Sequence, residues 1–299
     1  MICCNPIAVK VDGEYQEVPC GKCVVCCRNR ALNWTERILL EARYVGFENC
    51  CFLTLTYDDS ELEKRGEVLK LDKSHVQKYM KRLRKRFSHA GKRIRYYLCG
   101  EYGAETSRPH YHQVLFCLSC DDVVGDCVSG CGVSKVEGLR GRAFAWPVWG
   151  YGRVHVASFT EGVAFYVAQY LSKSTPLRKE MLEKMGLPPE FSLMSRRPGL
   201  GFFELEKKRE YYRRRPVRGW SSIEAVKSFP RHSRYIEEKL YGEGDAISVA
   251  FEEFKMEQKK NRVLKEKKLA EQRGICYRDY QLERRIQDYY DVVSASKNR

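Results

Sequence analysis

The sequence predicts an α+β fold, an antiparallel sheet with helices packed on it, followed by a basic, mostly helical C-terminal region. Three observations lead there. Short apolar, aromatic and Thr-rich runs end at turn residues, as strands do. Amphipathic stretches with helical spacing lie among them. Charge and pattern change near Pro176, beyond which periodic apolar signals weaken. With 43% hydrophobic and 12% aromatic residues over 299 positions, the chain can bury a core, which excludes wholesale disorder.

The elements follow in order. After a Cys-rich N-terminal segment, Arg28 to Tyr44 places Leu32, Ile38, Leu39 and Ala42 among charged residues, a helix with one apolar face. Cys51 to Tyr57 is a strand that stops at Asp58-Asp59-Ser60. Lys73 to Phe87 carries Val76, Tyr79, Met80, Leu83 and Phe87 on one helical face, with Asp72 as the N-cap. Ile94–Leu98 and Gln113–Leu118 read as strands around a Gly-containing turn. Residues 119–145 read as an inserted loop. Val154–Val156 is a further strand, and Phe159–Ser172 a helix ended by Pro176. Ala250–Arg273 reads as a charged helix. The implied organisation is 1–50, a Cys-rich segment and helix; 51–176, the sheet core; and 177–299, the basic helical region.

Lys+Arg 54 against Asp+Glu 39 gives a net charge of +15, which favours a polyanionic partner, most simply nucleic acid. No apolar run is long enough to cross a bilayer, and the N-terminus lacks the basic and apolar regions of a signal peptide. The expectation is a soluble intracellular protein with no membrane partner. In a reducing compartment the 14 cysteines read as thiols or metal ligands rather than disulfides.

Three groups carry chemistry. His110 and His112 flank Tyr111 in a strand, so both imidazoles project from one face and can share a divalent metal; an accidental pair is the plain alternative. Tyr166, Tyr170 and Lys173 follow helical spacing and form a stripe of two phenols and an ammonium, or else two half-buried aromatics with a snorkelling lysine. Glu101 ends the strand before the histidines, and a hairpin would bring its carboxylate beside them. Two nitrogens and a carboxylate suit Mg²⁺ or Mn²⁺; an ordinary surface Glu would look the same.

Together these motifs resemble the HUH endonucleases, and more closely the replication initiators of small single-stranded-DNA viruses. Phe52-Leu53-Thr54-Leu55-Thr56-Tyr57 is similar to their first motif, Pro109 to His112 to the second, and Tyr166 to Lys173 to the third. The paired tyrosines, with Cys20-Gly21-Lys22-Cys23 upstream, look like the microvirus, gokushovirus type. The resemblance covers about residues 19–175. It implies an HUH core of ferredoxin-like or RRM-like form, with His110, His112 and Glu101 as metal ligands and Tyr170 and Tyr166 as nucleophiles. It further implies rolling-circle initiation: one strand of origin DNA is nicked, leaving a 5′-phosphotyrosyl link and a free 3′-hydroxyl, and is later rejoined. Lys173 would lower the phenol pKa or neutralise phosphate. Because Tyr170 also forms Tyr-x-x-Lys, it is favoured where one tyrosine suffices. The same resemblance implies work in the cytoplasm of an infected bacterium. No Gly-x-x-x-x-Gly-Lys-Ser/Thr loop is present, so a host helicase and polymerase would be partners.

Two further features complete the reading. Lys81, Arg82, Lys85 and Arg86 lie in a stretch without acidic residues and would track DNA phosphates; Lys207–Arg218, with Tyr211 and Tyr212, is similar. Cys20, Cys23 and Cys26 have zinc-knuckle spacing, with Cys3, Cys4 or Cys27 as a fourth ligand, and Cys117, Cys120, Cys127 and Cys131 form a second candidate. The competing functions are a zinc-stabilised nucleic-acid-binding protein without catalysis, and an HUH transposase or plasmid initiator.

Overall fold

In the computed structural model the described residues are 3–11, 13–63, 70–103, 107–130, 142–173, 175–214 and 233–297. In chain order the elements are β1 (Ile7–Val11), β2 (Glu14–Val18), α1 (Val24–Val45), β3 (Cys50–Tyr57), α2 (Asp59–Glu63) and α3 (Lys73–Arg86). Then come β4 (Arg95–Tyr102), β5 (Pro109–Phe116), α4 (Cys120–Gly130), β6 (Arg142–Ala145), β7 (Gly152–Ser158), α5 (Glu161–Lys173), α6 (Pro176–Lys184) and β8 (Phe191–Met194). The remainder is helical: α7 (Phe202–Lys207), α8 (Arg209–Arg213), α9 (Arg234–Tyr241), α10 (Ala246–Gln272) and α11 (Tyr277–Lys297). The α+β class and the helical C-terminal region are as the sequence predicts.

The chain divides into two compact units, residues 34–206 and residues 1–33 with 207–299. The first is built on a six-stranded antiparallel sheet in the order β6-β7-β3-β5-β4-β8. β3 lies inside it because its run of Cys51, Leu53, Leu55 and Tyr57 is buried on one face while Thr54 and Thr56 point to the other. On the apolar face, Leu53, Leu55, Tyr111, Leu115, Val154 and Val156 meet Val76, Tyr79, Met80 and Leu83 of α3, with Trp146 and Trp149 filling the corner. Gln113 is the polar member of this face, and it is paired: Tyr79 donates to its Oε1 at 2.9 Å. Asp72 caps α3, accepting from the Ser74 N–H at 2.6 Å.

The opposite face carries α1 and α5. Trp34 of α1 packs on Tyr97 at 5.3 Å between ring centroids, and Arg95 is paired with the buried Glu41 at 2.5 Å. The Cys99 thiol donates to the Val167 carbonyl of α5 at 3.6 Å. Cys50, Cys51 and Cys99 are buried strand residues, as expected from their apolar surroundings.

Several boundaries differ from the sequence reading. The stretch read as an inserted loop, 119–145, contains α4 and β6; Ser119 caps α4 through paired bonds with Asp122, and Val123 and Cys127 are buried in the core. The sheet also recruits residues beyond Pro176, since β8 pairs with β4 at the edge. β1 and β2 form a separate two-stranded hairpin before α1. Short edge strands carry little apolar periodicity of their own, because a single partner defines them. Within the second unit, Arg213 binds Asp245 at 2.5 Å, and Tyr241 stacks on Phe251 at 3.8 Å between ring centroids. Among the described residues, no helix is long and apolar enough to cross a membrane.

Candidate active site and cysteine cluster

The polar face of the sheet brings three strands of chemistry-bearing residues into register. On β5, His110 lies opposite Thr56 of β3 and Glu101 of β4, and His112 lies opposite Thr54 and Cys99. Alternation alone accounts for this: residues two apart on each strand share a face, and antiparallel register lines them up across it. Each imidazole Nδ1 is hydrogen-bonded to a threonine hydroxyl at 3.2 Å, His110 to Thr56 and His112 to Thr54. Both Nε2 atoms are thereby left for another partner. For His112 that partner is Glu101, whose Oε1 lies 2.9 Å away. Glu101 is inside β4 rather than in the turn, and the β4–β5 hairpin joins it to the histidines as the sequence suggests.

The tyrosines complete the cluster from α5. Tyr170 stacks on His112 with ring centroids 4.5 Å apart and planes 5° from parallel, while Tyr166 meets the same imidazole edge-on at 5.8 Å. Their spacing of one helical turn lets the Tyr170 hydroxyl donate to that of Tyr166. The two are unequal in exposure: Tyr166 is 45% exposed and Tyr170 only 7%. Lys173 closes α5, and its side chain lies outside the described residues.

Electrostatics follow burial. Desolvation lowers the His110 pKa, and the neighbouring His112 acts the same way, so this imidazole stays neutral and able to ligate. Burial raises the Tyr170 phenol far above its ordinary value, with Glu101 and its own bond to Tyr166 adding to the effect. Tyr166 is also raised by burial, but the hydrogen bond that it accepts from Tyr170 opposes the shift.

One residue of this face was not singled out from the sequence. His155 on β7 lies opposite Thr54, on the far side from His112, and its Nε2 is buried without a hydrogen-bond partner among the described residues. Its signal is the two-residue alternation of Val154-His155-Val156, visible once β7 is known to pair with β3.

The α3 basic residues are placed differently from the expectation. Arg82 donates to the Val148 and Trp149 carbonyls at 2.8 and 2.5 Å, and Arg86 pairs with Asp126 at 2.6 Å. Only Lys81 and Lys85 of the four are exposed without such a bond to the 146–149 turn or to α4. Lys85, Arg82 and Arg86 border a cavity of about 500 Å³ with His89, Asp126 and Pro147. α3 covers the apolar face, so this patch is on the other side of the sheet from the histidines. Of Lys207–Arg218, residues 215–218 lie outside the described residues; Tyr212 is buried and Tyr211 exposed.

The cysteines separate cleanly. Cys3, Cys20, Cys23 and Cys26 hold their sulfurs within 4.8 Å of one another, and among the described residues only this group brings three or more His, Cys, Asp or Glu ligand atoms so close. These four could coordinate a structural metal. Cys3 is therefore the fourth member; Cys27 is buried and donates to the Lys22 carbonyl at 3.6 Å. Burial opposes ionisation of Cys23, but hydrogen bonds from the Cys26 and Cys4 backbone outweigh it and bring the thiol down to about 6. The second candidate is not assembled: Cys120 donates to the Ala157 carbonyl, Cys127 is in the core, and Cys131 lies outside the described residues. The trio of His110, His112 and Glu101 does not close to within 4.8 Å.

Comparison with known proteins agrees with the location of the site. Residues 50–175 match the family model for replication-associated protein ORF2. The chain is 33% identical over 172 residues to replication-associated protein ORF4 of Chlamydia phage 1, covering 54% of this chain and 41% of that protein. It is 32% identical over 197 residues to replication-associated protein ORF2 of Spiroplasma virus 4, covering 65% and 59%. With replication-associated protein VP4 of Bdellovibrio phage phiMH2K the identity is 32% over 157 residues, covering 52% and 48%. The aligned part thus spans 41 to 59% of these relatives' own lengths. No solved structure matches the chain. The segment bearing the sheet and α5 is similar to phage replication-associated proteins of the ORF2 type; the cysteine cluster lies outside the family-model match.

Proposed function

We propose that the protein initiates rolling-circle DNA replication by nicking and rejoining single-stranded origin DNA through a tyrosine, as an HUH enzyme of the microvirus, gokushovirus type. The observation that carries this reading is the stacking of Tyr170 on His112, with Tyr166 bonded to Tyr170 and Glu101 bonded to His112. Two nucleophile candidates and three ligand candidates thus meet on one sheet face.

The donor set fits Mg²⁺ or Mn²⁺, since two imidazoles oriented by threonines and one carboxylate leave coordination positions for water and phosphate. His110, His112 and Glu101 would hold the ion, which would polarise the scissile phosphate and offset charge in the transition state. A tyrosine oxygen attacks the phosphorus, the bond to the 3′ oxygen breaks, and that oxygen leaves as a hydroxyl after taking up a proton. The phosphodiester count is unchanged, so attack by a 3′-hydroxyl on the phosphotyrosine reverses the step without ATP.

The two phenols divide the work. The Tyr-x-x-Lys pattern favours Tyr170, but exposure and hydrogen-bond direction favour Tyr166 for the first cleavage. Tyr166 reaches solvent, and the hydrogen bond from Tyr170 stabilises its oxygen as charge develops. Tyr170, more deeply buried, serves the second transfer after the site has opened. Replication at the origin would draw on a host helicase and polymerase in the cytoplasm of the bacterial host.

The test is incubation with Mn²⁺ and single-stranded origin DNA, followed by denaturing electrophoresis. A covalent protein–DNA adduct that is absent in the Tyr166→Phe/Tyr170→Phe double variant is the expected result. Absence of any adduct with Mg²⁺ or Mn²⁺ would leave a non-catalytic nucleic-acid-binding protein.

A further inference from the structure

The N-terminal cysteines carry an inference independent of strand cleavage. Their sulfur geometry is the starting point. Four thiolates around Zn²⁺ with arms of about 2.3 Å stand about 3.8 Å apart at the corners of a tetrahedron. Cys3 Sγ is 3.5 Å from Cys20 Sγ and 3.8 Å from Cys23 Sγ, and all four ligand atoms fall within 4.8 Å. A disulfide needs about 2.05 Å, and each of these cysteines is a thiol rather than half of a disulfide.

The backbone is arranged for charged sulfur. The N–H groups of Lys22 and Cys23 point at Cys20 Sγ at 3.4 and 3.3 Å, that of Cys26 at Cys23 Sγ at 3.5 Å, and that of Cys20 at Cys3 Sγ at 3.3 Å. Such N–H···S bonds spread the negative charge that a tetrathiolate site accumulates. Cys26 lies in the first turn of α1, where the helix dipole acts in the same sense.

The position of the cluster says what it is for. Cys3 precedes β1 and Cys20 follows β2, so the cluster joins the two open ends of the hairpin, and Cys23 and Cys26 tie them to α1. The hairpin itself is almost entirely exposed. A lone two-stranded hairpin is marginal in water, and the pair between Arg285 and the exposed Glu17 at 2.7 Å is a surface ion pair of small value.

We propose that Cys3, Cys20, Cys23 and Cys26 bind one structural Zn²⁺, and that this ion is the clasp that fixes the β1–β2 hairpin to α1. Tetrahedral all-sulfur ligation with no open position matches a structural rather than a catalytic zinc.

Metal analysis of the purified full-length chain tests the site directly. One zinc per chain is expected, retained in the His110→Ala/His112→Ala variant and lost in Cys20→Ser/Cys23→Ser. Co²⁺ exchanged into the wild-type chain should show thiolate-to-cobalt charge-transfer bands and tetrahedral ligand-field absorption, abolished by added Zn²⁺. This spectrum needs no variant to fold. Limited proteolysis after chelation should cut within residues 3–23 about tenfold faster or more, with zinc restoring protection. Bound iron in place of zinc, a cobalt spectrum without thiolate bands, or zinc that survives in Cys20→Ser/Cys23→Ser would each overturn the assignment. Hairpin cleavage that chelation leaves unchanged would overturn the clasp.

Discussion

The two faces of the central sheet are made from the same strands yet do opposite work. Along β3 and β5, Leu53, Leu55, Tyr111 and Leu115 face α3 in a dry core, while Thr54, Thr56, His110 and His112 face α5. Tyr111 illustrates the division. It stands between the two histidines in sequence but points away from them, its hydroxyl bonded to Tyr57 at 2.9 Å and to the Asp72 N–H at 2.8 Å. The lesson is that a strand can hold reactive groups rigidly because each alternate residue is clamped in the core behind them. Stability and chemistry should then be separable by face.

The largest expected effect breaks the polar face alone. His110→Ala/His112→Ala should reduce adduct formation by about a hundredfold or more while moving the urea midpoint little. Among the tyrosines, Tyr166→Phe should abolish the first adduct, whereas Tyr170→Phe should form it and fail in strand transfer. An adduct mapped to Tyr170 in the wild-type first turnover would reverse that order.

Breaking the core face should do the reverse. Leu53→Ala is expected to cost about 2–5 kcal/mol, read as a lower urea midpoint, with residual folded protein still forming adduct.

The α3 patch sharpens the comparison, because its charges lie behind the core. Arg82→Ala should destabilise by about 1–3 kcal/mol by leaving the Val148 and Trp149 carbonyls short of a donor. Lys81→Ala/Lys85→Ala should leave the midpoint unchanged. If α3 touches DNA, the double lysine variant lowers the slope of log affinity against log salt by about 2; an unchanged slope confines DNA to the polar face.

The smallest effect concerns pH. Burial would raise the Asp122 carboxyl, but hydrogen bonds from Lys92 and Ser119 outweigh it and hold the group below its ordinary 3.8. A carboxyl depressed in the fold adds stability above its unfolded value and loses it as pH falls through the folded one. Asp122→Asn should therefore narrow the stability gap between pH 7 and pH 3 by about 1 kcal/mol or less, measured by urea melts at both.

Much of the site was legible because its spacing is local. His-x-His needs only strand alternation, Tyr-x-x-x-Tyr only one helical turn, and Glu101 only a hairpin. Cys20, Cys23 and Cys26 are equally local, but the choice of Cys3 over Cys4 or Cys27 depends on how the hairpin returns. His155 was missed since its relevance comes from a neighbouring strand far along the chain. Arg82 and Arg86 looked free because their acceptors, Val148, Trp149 and Asp126, are equally distant.

The sequence by itself determined the α+β class, the central strands, α3 and α5, and the motifs on them, because periodicity and capping are written within a few residues. The tertiary structure decided the edge strands β6 and β8, the engagement of the α3 arginines, the fourth cysteine and the unequal exposure of Tyr166 and Tyr170. Those depend on which distant surface covers a residue, and burial is a property of the partner as much as of the residue itself.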